Sequence, residues 1–146
     1  MMIVKMTQEH VSQIAQLEKM CFSNPWSEKS IATELDSRLS CWLVALDGDQ
    51  VVGYVGSQTV IDETDMMNIA VHPDHRRKGV AEMLIGELIL ALKERGSKAL
   101  LLEVRASNNP AIALYEKLGF CQVGRRPNYY RNPKEDALIL RKEWDA

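Results

Sequence analysis

Apolar residues change their spacing several times along the chain, and each change marks an element. Met1–Met6 carries an apolar run long enough for one short strand. Beyond it Val11, Ile14, Ala15, Leu17 and Cys21 form one helical stripe that Thr7 is placed to cap. Asn24-Pro25-Trp26 interrupts that helix, and Ser27 can cap a second, shorter one reaching about Asp36. The period then drops to two. Ser40–Leu46 sets Trp42, Val44 and Leu46 on one face, Asp47-Gly48-Asp49 reads as a hairpin turn, and Val51–Ile61 is the return strand. Asp62-Glu63-Thr64 turns the chain into a further strand, Met66–Val71. The first half is an antiparallel meander with two helices inserted near its start.

The second half has a different rhythm. A polar, basic loop, His72–Lys78, leads into a strongly apolar helix over Gly79–Arg95, with Val80, Leu84, Leu88 and Leu92 on its stripe and Gly96 as its stop. Ala99–Val104 is a continuous apolar run, the pattern of a strand covered on both faces. Asn109 is placed to cap a helix with Pro110 at its first position, and Gly119 ends it. Phe120–Arg126 and Ala137–Arg141 complete the strands. Strand, helix and buried strand in succession imply a right-handed crossover and one parallel pairing. The expected fold is mixed α/β, with a single, mostly antiparallel sheet of about six to seven strands and helices on both faces.

Length and composition narrow this further. A chain of 146 residues, 46% hydrophobic and 26% charged, suits one folded domain spanning 1–146. No stretch approaches the roughly 18 apolar residues of a membrane span, and the first residues lack the pattern of a signal peptide. Cys21, Cys41 and Cys121 are odd in number and far apart, which suits reduced thiols in a cytoplasm. His72 and His75 lack companions at metal-ligand spacing, so no metal site is expected. A net charge of −2 argues against a broadly basic nucleic-acid binder. Nothing in the chain sets its oligomeric state, and a monomer is the simplest expectation.

Two places carry chemistry. The first is Arg76-Arg77-Lys78-Gly79-Val80-Ala81, where a strand gives way to a helix. The unpaired N–H groups of a helix start, with the positive end of its dipole, suit a phosphate, and Gly79 lets the ligand approach the main chain. The plainer alternative is a glycine easing helix formation beside a solvated charge cluster. The second is Glu103, an acid near the end of an apolar strand. A buried carboxylate is either paired or kept for chemistry, and burial beside a cleft would raise its pKa toward that of a useful base. An ion pair with Arg105 is the competing explanation. Tyr115, about two turns into the next helix, can return over the same strand end as a proton donor; a core tyrosine is the alternative.

The stretch Asn68-Ile69-Ala70-Val71-His72-Pro73-Asp74-His75-Arg76-Arg77-Lys78-Gly79-Val80-Ala81 resembles the acetyl-CoA motif of the GNAT superfamily of N-acetyltransferases, matching at Arg76, Gly79 and Ala81. The resemblance implies that the amides of Arg77, Lys78, Gly79, Val80, Ala81 and Glu82 hold the pyrophosphate. It further implies that the main chain of Ile69, Ala70 and Val71 pairs with the pantetheine amides like an added strand. The segment from Glu103 to Phe120 is similar to bacterial ribosomal protein-alanine N-acetyltransferases, which act on the N-terminal alanine of small-subunit ribosomal protein 18. By that resemblance Glu103 is the general base, Tyr115 the general acid, and Asn108 a cofactor contact. Asn24-Pro25-Trp26-Ser27 and the segment with Tyr129-Tyr130 are also family-like, implying a peptide groove walled by Trp26, Tyr129 and Tyr130. The likeness runs from Met1 to about Lys142, with Ala81 where many members have glycine and Leu140 where relatives often have methionine.

The residues suit an α-amine acceptor best. An α-amine with a pKa near ~8 is partly neutral at cellular pH, whereas a lysine near ~10.4 is mostly charged. The expected reaction is direct attack on acetyl-CoA in a ternary complex, by the N-terminus of a protein partner, with no role for nucleic acid or membrane. Acetylation of a free small amine is the alternative, followed by a non-catalytic acyl-CoA-binding module. The latter has no use for Glu103 and Tyr115 together. A cysteine nucleophile is disfavoured, since none of the three lies at a helix start beside a histidine.

Overall fold

A computed structural model describes residues 1–144. Its elements are β1 (Met2–Lys5), α1 (Gln8–Cys21), α2 (Glu28–Glu34), β2 (Ser40–Asp47), β3 (Gln50–Val60), β4 (Glu63–Val71), α3 (Val80–Glu94), β5 (Ala99–Arg105), α4 (Asn109–Lys117), β6 (Cys121–Tyr130) and β7 (Glu135–Glu143). The strands form one seven-stranded sheet in the order β1-β2-β3-β4-β5-β7-β6, and only the β4–β5 pairing is parallel. The expected mixed, mostly antiparallel sheet is present. Among the described residues no helix is long and apolar enough to cross a membrane.

Each face of the sheet has its own apolar layer. Val80, Leu84, Ile85, Leu88 and Leu92 of α3 pack on Leu43, Val55, Leu100 and Leu102, with Tyr115 of α4 in the same layer. On the other face Val11, Ile14 and Leu17 of α1 and Ile31 of α2 cover Trp42, Val44, Tyr54 and Ala70. This explains why β2 is buried through five successive residues, Cys41 to Ala45, although its pattern reads as alternating. Strands β6 and β7 are longer than expected, and Tyr129 and Tyr130 close β6 rather than lying in a free turn. The turn expected over Asp62-Glu63-Thr64 is tighter, since β4 already pairs at Glu63. The cap of α4 is Asn108, not Asn109: its side chain accepts the Ala111 N–H at 3.3 Å.

One departure from regularity positions everything that follows. Strands β4 and β5 pair only at Glu63–Asp65 with Ala99–Leu101, and beyond those residues they part. The ladder between β3 and β4 slips by one residue at the same level: Gly56 faces Asn68 while Ser57 faces Met66, leaving Met67 as a bulge. A bulge bends its strand and sharpens the local twist, which here carries the end of β4 away from β5. The result is a gap in the middle of the sheet.

Candidate active site

The edge of β4 facing the gap can be assigned from the ladder. His72 N–H donates to the Val52 carbonyl at 2.8 Å, so the pair 52/72 is hydrogen-bonded. Alternation then turns Ala70 toward Tyr54 of β3, and turns the N–H and C=O groups of Ile69 and Val71 toward the gap. Two of these groups make side-chain bonds. Ile69 N–H donates to Asn68 Oδ1 at 3.2 Å, and the Val71 carbonyl accepts from Arg76 Nε at 3.2 Å. Two of the three expected strand contacts thus have main-chain groups turned toward the gap. Ala70 does not, because its main chain belongs to β3. Arg76 is folded back onto the end of β4, with its guanidinium also 3.5 Å from Cys21 Sγ.

Beyond β4 the chain makes the loop before α3. Arg77 and Gly79 both have positive φ, 65° and 77°. Gly79 is the N-cap of α3, and a Cβ built on it meets nothing within 4 Å. Its glycine is therefore demanded by backbone conformation, while the space in front of it is open. Left-handed residues at a helix start gather main-chain N–H groups into an anion-binding concavity. A cavity of about 310 Å³ lies there, lined by Val71, Arg76, Arg77, Gly79, Val80, Ala81, Glu82 and Leu114 among others. Leu114 belongs to α4, and Lys117 of that helix pairs with Glu82 at 3.4 Å. The cavity, the β4 edge and α4 are one continuous region.

Glu103 corrects the expectation of a buried carboxylate. Leu100, Leu102 and Val104 point into the α3 layer, so alternation sends Glu103 to the opposite face, where no helix covers β5. Its side chain is 31% exposed, and its partner is Arg126 Nε at 3.5 Å, not Arg105. Arg105 instead pairs with Glu135 at 3.3 Å, donates to the carbonyls of Pro133 and Arg131, and sits 4.5 Å from the Tyr130 ring centroid. Glu135 also accepts the Ser107 N–H at 2.6 Å; the Ser107 hydroxyl first, then that N–H and Arg105, hold its carboxyl below the usual range. These contacts tie the end of β5 to the turn between β6 and β7, and so fix the tyrosine pair. The rings of Tyr129 and Tyr130 meet edge to face at 5.1 Å, and Arg126 lies 5.9 Å from the Tyr129 ring.

The negative charge of Glu103 reaches both tyrosines. Partial burial, then Glu103, raises the Tyr130 phenol to about 12 and pushes Tyr129 upward. Tyr115, buried against Phe120 with ring centroids 5.6 Å apart, is raised to about 12 by burial and then by Tyr130. Tyr115 belongs to the α3 layer and Glu103 lies on the other face of the sheet, so the two side chains sit on opposite sides of β5. The side chain of Asn108 is engaged as a helix cap through its Oδ1. Trp26 packs edge to face on Trp42 at 5.4 Å, half-buried on the same sheet face as Glu103.

What the sequence reading did not foresee is Arg126 as the partner of Glu103, the pairing of Arg105 with Glu135, and the buried polar cluster that Glu18 and Tyr54 form with Asn68. Glu18 left a legible sign, since it continues the apolar stripe Val11, Ile14, Ala15 at a position that ought to be apolar. No group of three or more metal-ligating side chains occurs among the described residues.

Comparison with known proteins places this geometry. Residues 11–120 match the model described as "Acetyltransferase (GNAT) family". The chain is 41% identical over 126 residues to the ribosomal protein bS18-alanine N-acetyltransferase of Escherichia coli K12, covering 85% of this chain and 84% of that one. Its fold superposes on the crystal structure of the Escherichia coli enzyme with a TM-score of 0.91 at 35% identity, covering 99% and 94% of the two chains. An aminoglycoside 6'-N-acetyltransferase complexed with coenzyme A shares the fold at a TM-score of 0.83 and 18% identity, covering 98% and 97%.

Proposed function

The chain belongs to the acetyltransferase (GNAT) family, and from that premise we propose that it acetylates the α-amine of a protein N-terminus, the N-terminal alanine of ribosomal protein bS18. One observation carries the choice of acceptor: Glu103 stands exposed on an uncovered sheet face, beside Tyr129, Tyr130 and Arg126, at the strand end next to the gap. An extended peptide terminus fits a site open along one face and bounded by aromatic rings. A ribosomal substrate implies work in the cytoplasm.

The residues present fit acetyl-CoA. The gap-facing Ile69 and Val71 groups suit the amides of pantetheine, and the concavity at Arg77–Glu82 suits a pyrophosphate. When bound, acetyl-CoA supplies an activated thioester carbonyl to the gap. Glu103 accepts a proton from the incoming ammonium, directly or through water, leaving a neutral amine to form the new C–N bond as the C–S bond breaks; the second proton shed by that nitrogen passes to the departing sulfur, which leaves as the thiol. Arg126 holds the Glu103 carboxylate in place and must yield part of it to the substrate cation. Tyr115 keeps its proton at neutral pH, because a phenol near 12 is overwhelmingly protonated. Full transfer to a thiolate whose acid lies near ~8.5 is uphill, so Tyr115 acts by hydrogen-bonding the departing sulfur rather than by surrendering its proton. Trp26 bounds the acceptor side from the α1–α2 connection.

The test is mass spectrometry of three peptides incubated with acetyl-CoA: one starting with alanine, the same peptide with a blocked terminus, and one whose only free amine is a lysine. Acetylation of the first alone is expected. Modification of the lysine alone defeats the N-terminal reading.

A further inference from the structure

The buried cluster around Glu18 takes no part in the chemistry above, yet it touches both halves of the site. Glu18 is 1% exposed on the covered side of α1. Its Oε1 accepts the Trp26 N–H at 2.8 Å, and its Oε2 accepts from Asn68 Nδ2 at 2.6 Å and from the Tyr54 hydroxyl. Asn68 in turn accepts the Ile69 N–H through Oδ1. A carboxylate so deeply buried is costly even with its donors; desolvation pushes its pKa up, opposed by the Trp26 N–H. A neutral or apolar side chain would fill the same space in the α1 layer more cheaply. What the carboxylate adds is two directed tethers. One ends on the loop that bounds the acceptor side. The other ends, through a single amide, on the main-chain N–H that faces the cofactor gap.

We infer that Glu18 is a positioning residue that couples the two binding sites, setting the acceptor loop through Trp26 and the cofactor edge of β4 through Asn68. The inference rests on the cofactor reading of that edge. Asn68 Oδ1 holds the place of a ligand carbonyl on Ile69 N–H. A bound cofactor displaces it, the Asn68 amide turns, and the bond from Nδ2 to Glu18 shifts with it. Because the same carboxylate holds Trp26, the acceptor loop responds. By reciprocity, a peptide that settles the loop favours the cofactor-ready arrangement of Asn68.

Calorimetry of an alanine-start peptide, without and with saturating coenzyme A, reads this directly and needs no turnover. In the wild type, coenzyme A should tighten the peptide by about fivefold or more, the low end of typical coupling between sites. Glu18→Gln and Asn68→Ala should each reduce that ratio below about twofold, while thermal melts show both proteins folded and coenzyme A still binds. If Glu18→Gln does not fold, Asn68→Ala carries the test. A lowered melting temperature with the ratio unchanged would make the cluster merely structural and overturn the inference, as would absence of coupling in the wild type. Failure of the wild type to bind coenzyme A would instead defeat the cofactor reading itself.

Discussion

Glu103 and Tyr115 make different demands on their surroundings, and their variants should fail differently. Glu103→Gln keeps the shape of the side chain but removes the proton acceptor, so kcat should fall by about 10² or more while coenzyme A affinity stays within about threefold. Steady-state kinetics beside calorimetry separates the two; wild-type turnover would remove Glu103 from its role. Tyr115→Phe removes a donor to sulfur and should cost about 10² in kcat. Its raised pKa adds a second signature. Between pH 10 and about 12 the unfolded chain releases the phenolic proton that the folded protein retains, so stability falls as pH rises through that window. The loss is on the order of 2 kcal/mol for this buried phenol, and urea melts should show a smaller fall over that window in Tyr115→Phe than in the wild type, the remainder coming from Tyr130 and Tyr129. At this scale Glu103 and Tyr115 could be singled out as candidates before the structure, but their environments could not be read. A continuous run from Ala99 to Val104 does not say which face lacks a covering helix, and β5 turns out to be covered on one side only. Arg126 was invisible as the partner because it reaches Glu103 across the intervening strand β7.

Among the elements, α3 and α4 carry opposite lessons. The stripe of α3 was plain, since five buried apolar residues recur at helical spacing and pack on one layer. The start of α4 was ambiguous by one residue because Asn108 and Asn109 are equally good caps by type; only the bond to Ala111 N–H decides. Asn108→Ala should lower stability by about 1 kcal/mol and slow turnover through Tyr115 on the same helix, read by thermal melts and kinetics together. At the start of α3, Gly79→Ala should strain a left-handed residue by about 1–2 kcal/mol, and Gly79→Glu should abolish coenzyme A binding by adding bulk and negative charge to the concavity. Saturable binding by the glutamate variant would put the pyrophosphate elsewhere. Neither φ value in this loop is written in the residue types, apart from the hint that glycine provides.

The whole molecule is a sheet held together at its base and opened at one end. Hydrophobic periodicity was enough to predict a sheet of about six to seven strands, both helical layers and a parallel crossover, because each of those follows from a repeating pattern. The parting of β4 from β5 does not repeat, and it hangs on a bulge at Met67 that no local sequence feature announces. Family resemblance supplied what periodicity lacked there. On the proposed reading, one ligand lies in that opening as an added strand, with Glu103 and Tyr115 on opposite faces of the sheet beside it. A crystal structure with coenzyme A and an alanine-start peptide tests that arrangement most directly. The pyrophosphate should accept from main-chain N–H groups between Arg77 and Glu82, pantetheine should pair with Ile69 and Val71, and the peptide amine should lie within reach of Glu103, directly or through one water. Coenzyme A bound away from the β4 edge, or an amine on the far side of the sheet from Glu103, would contradict it.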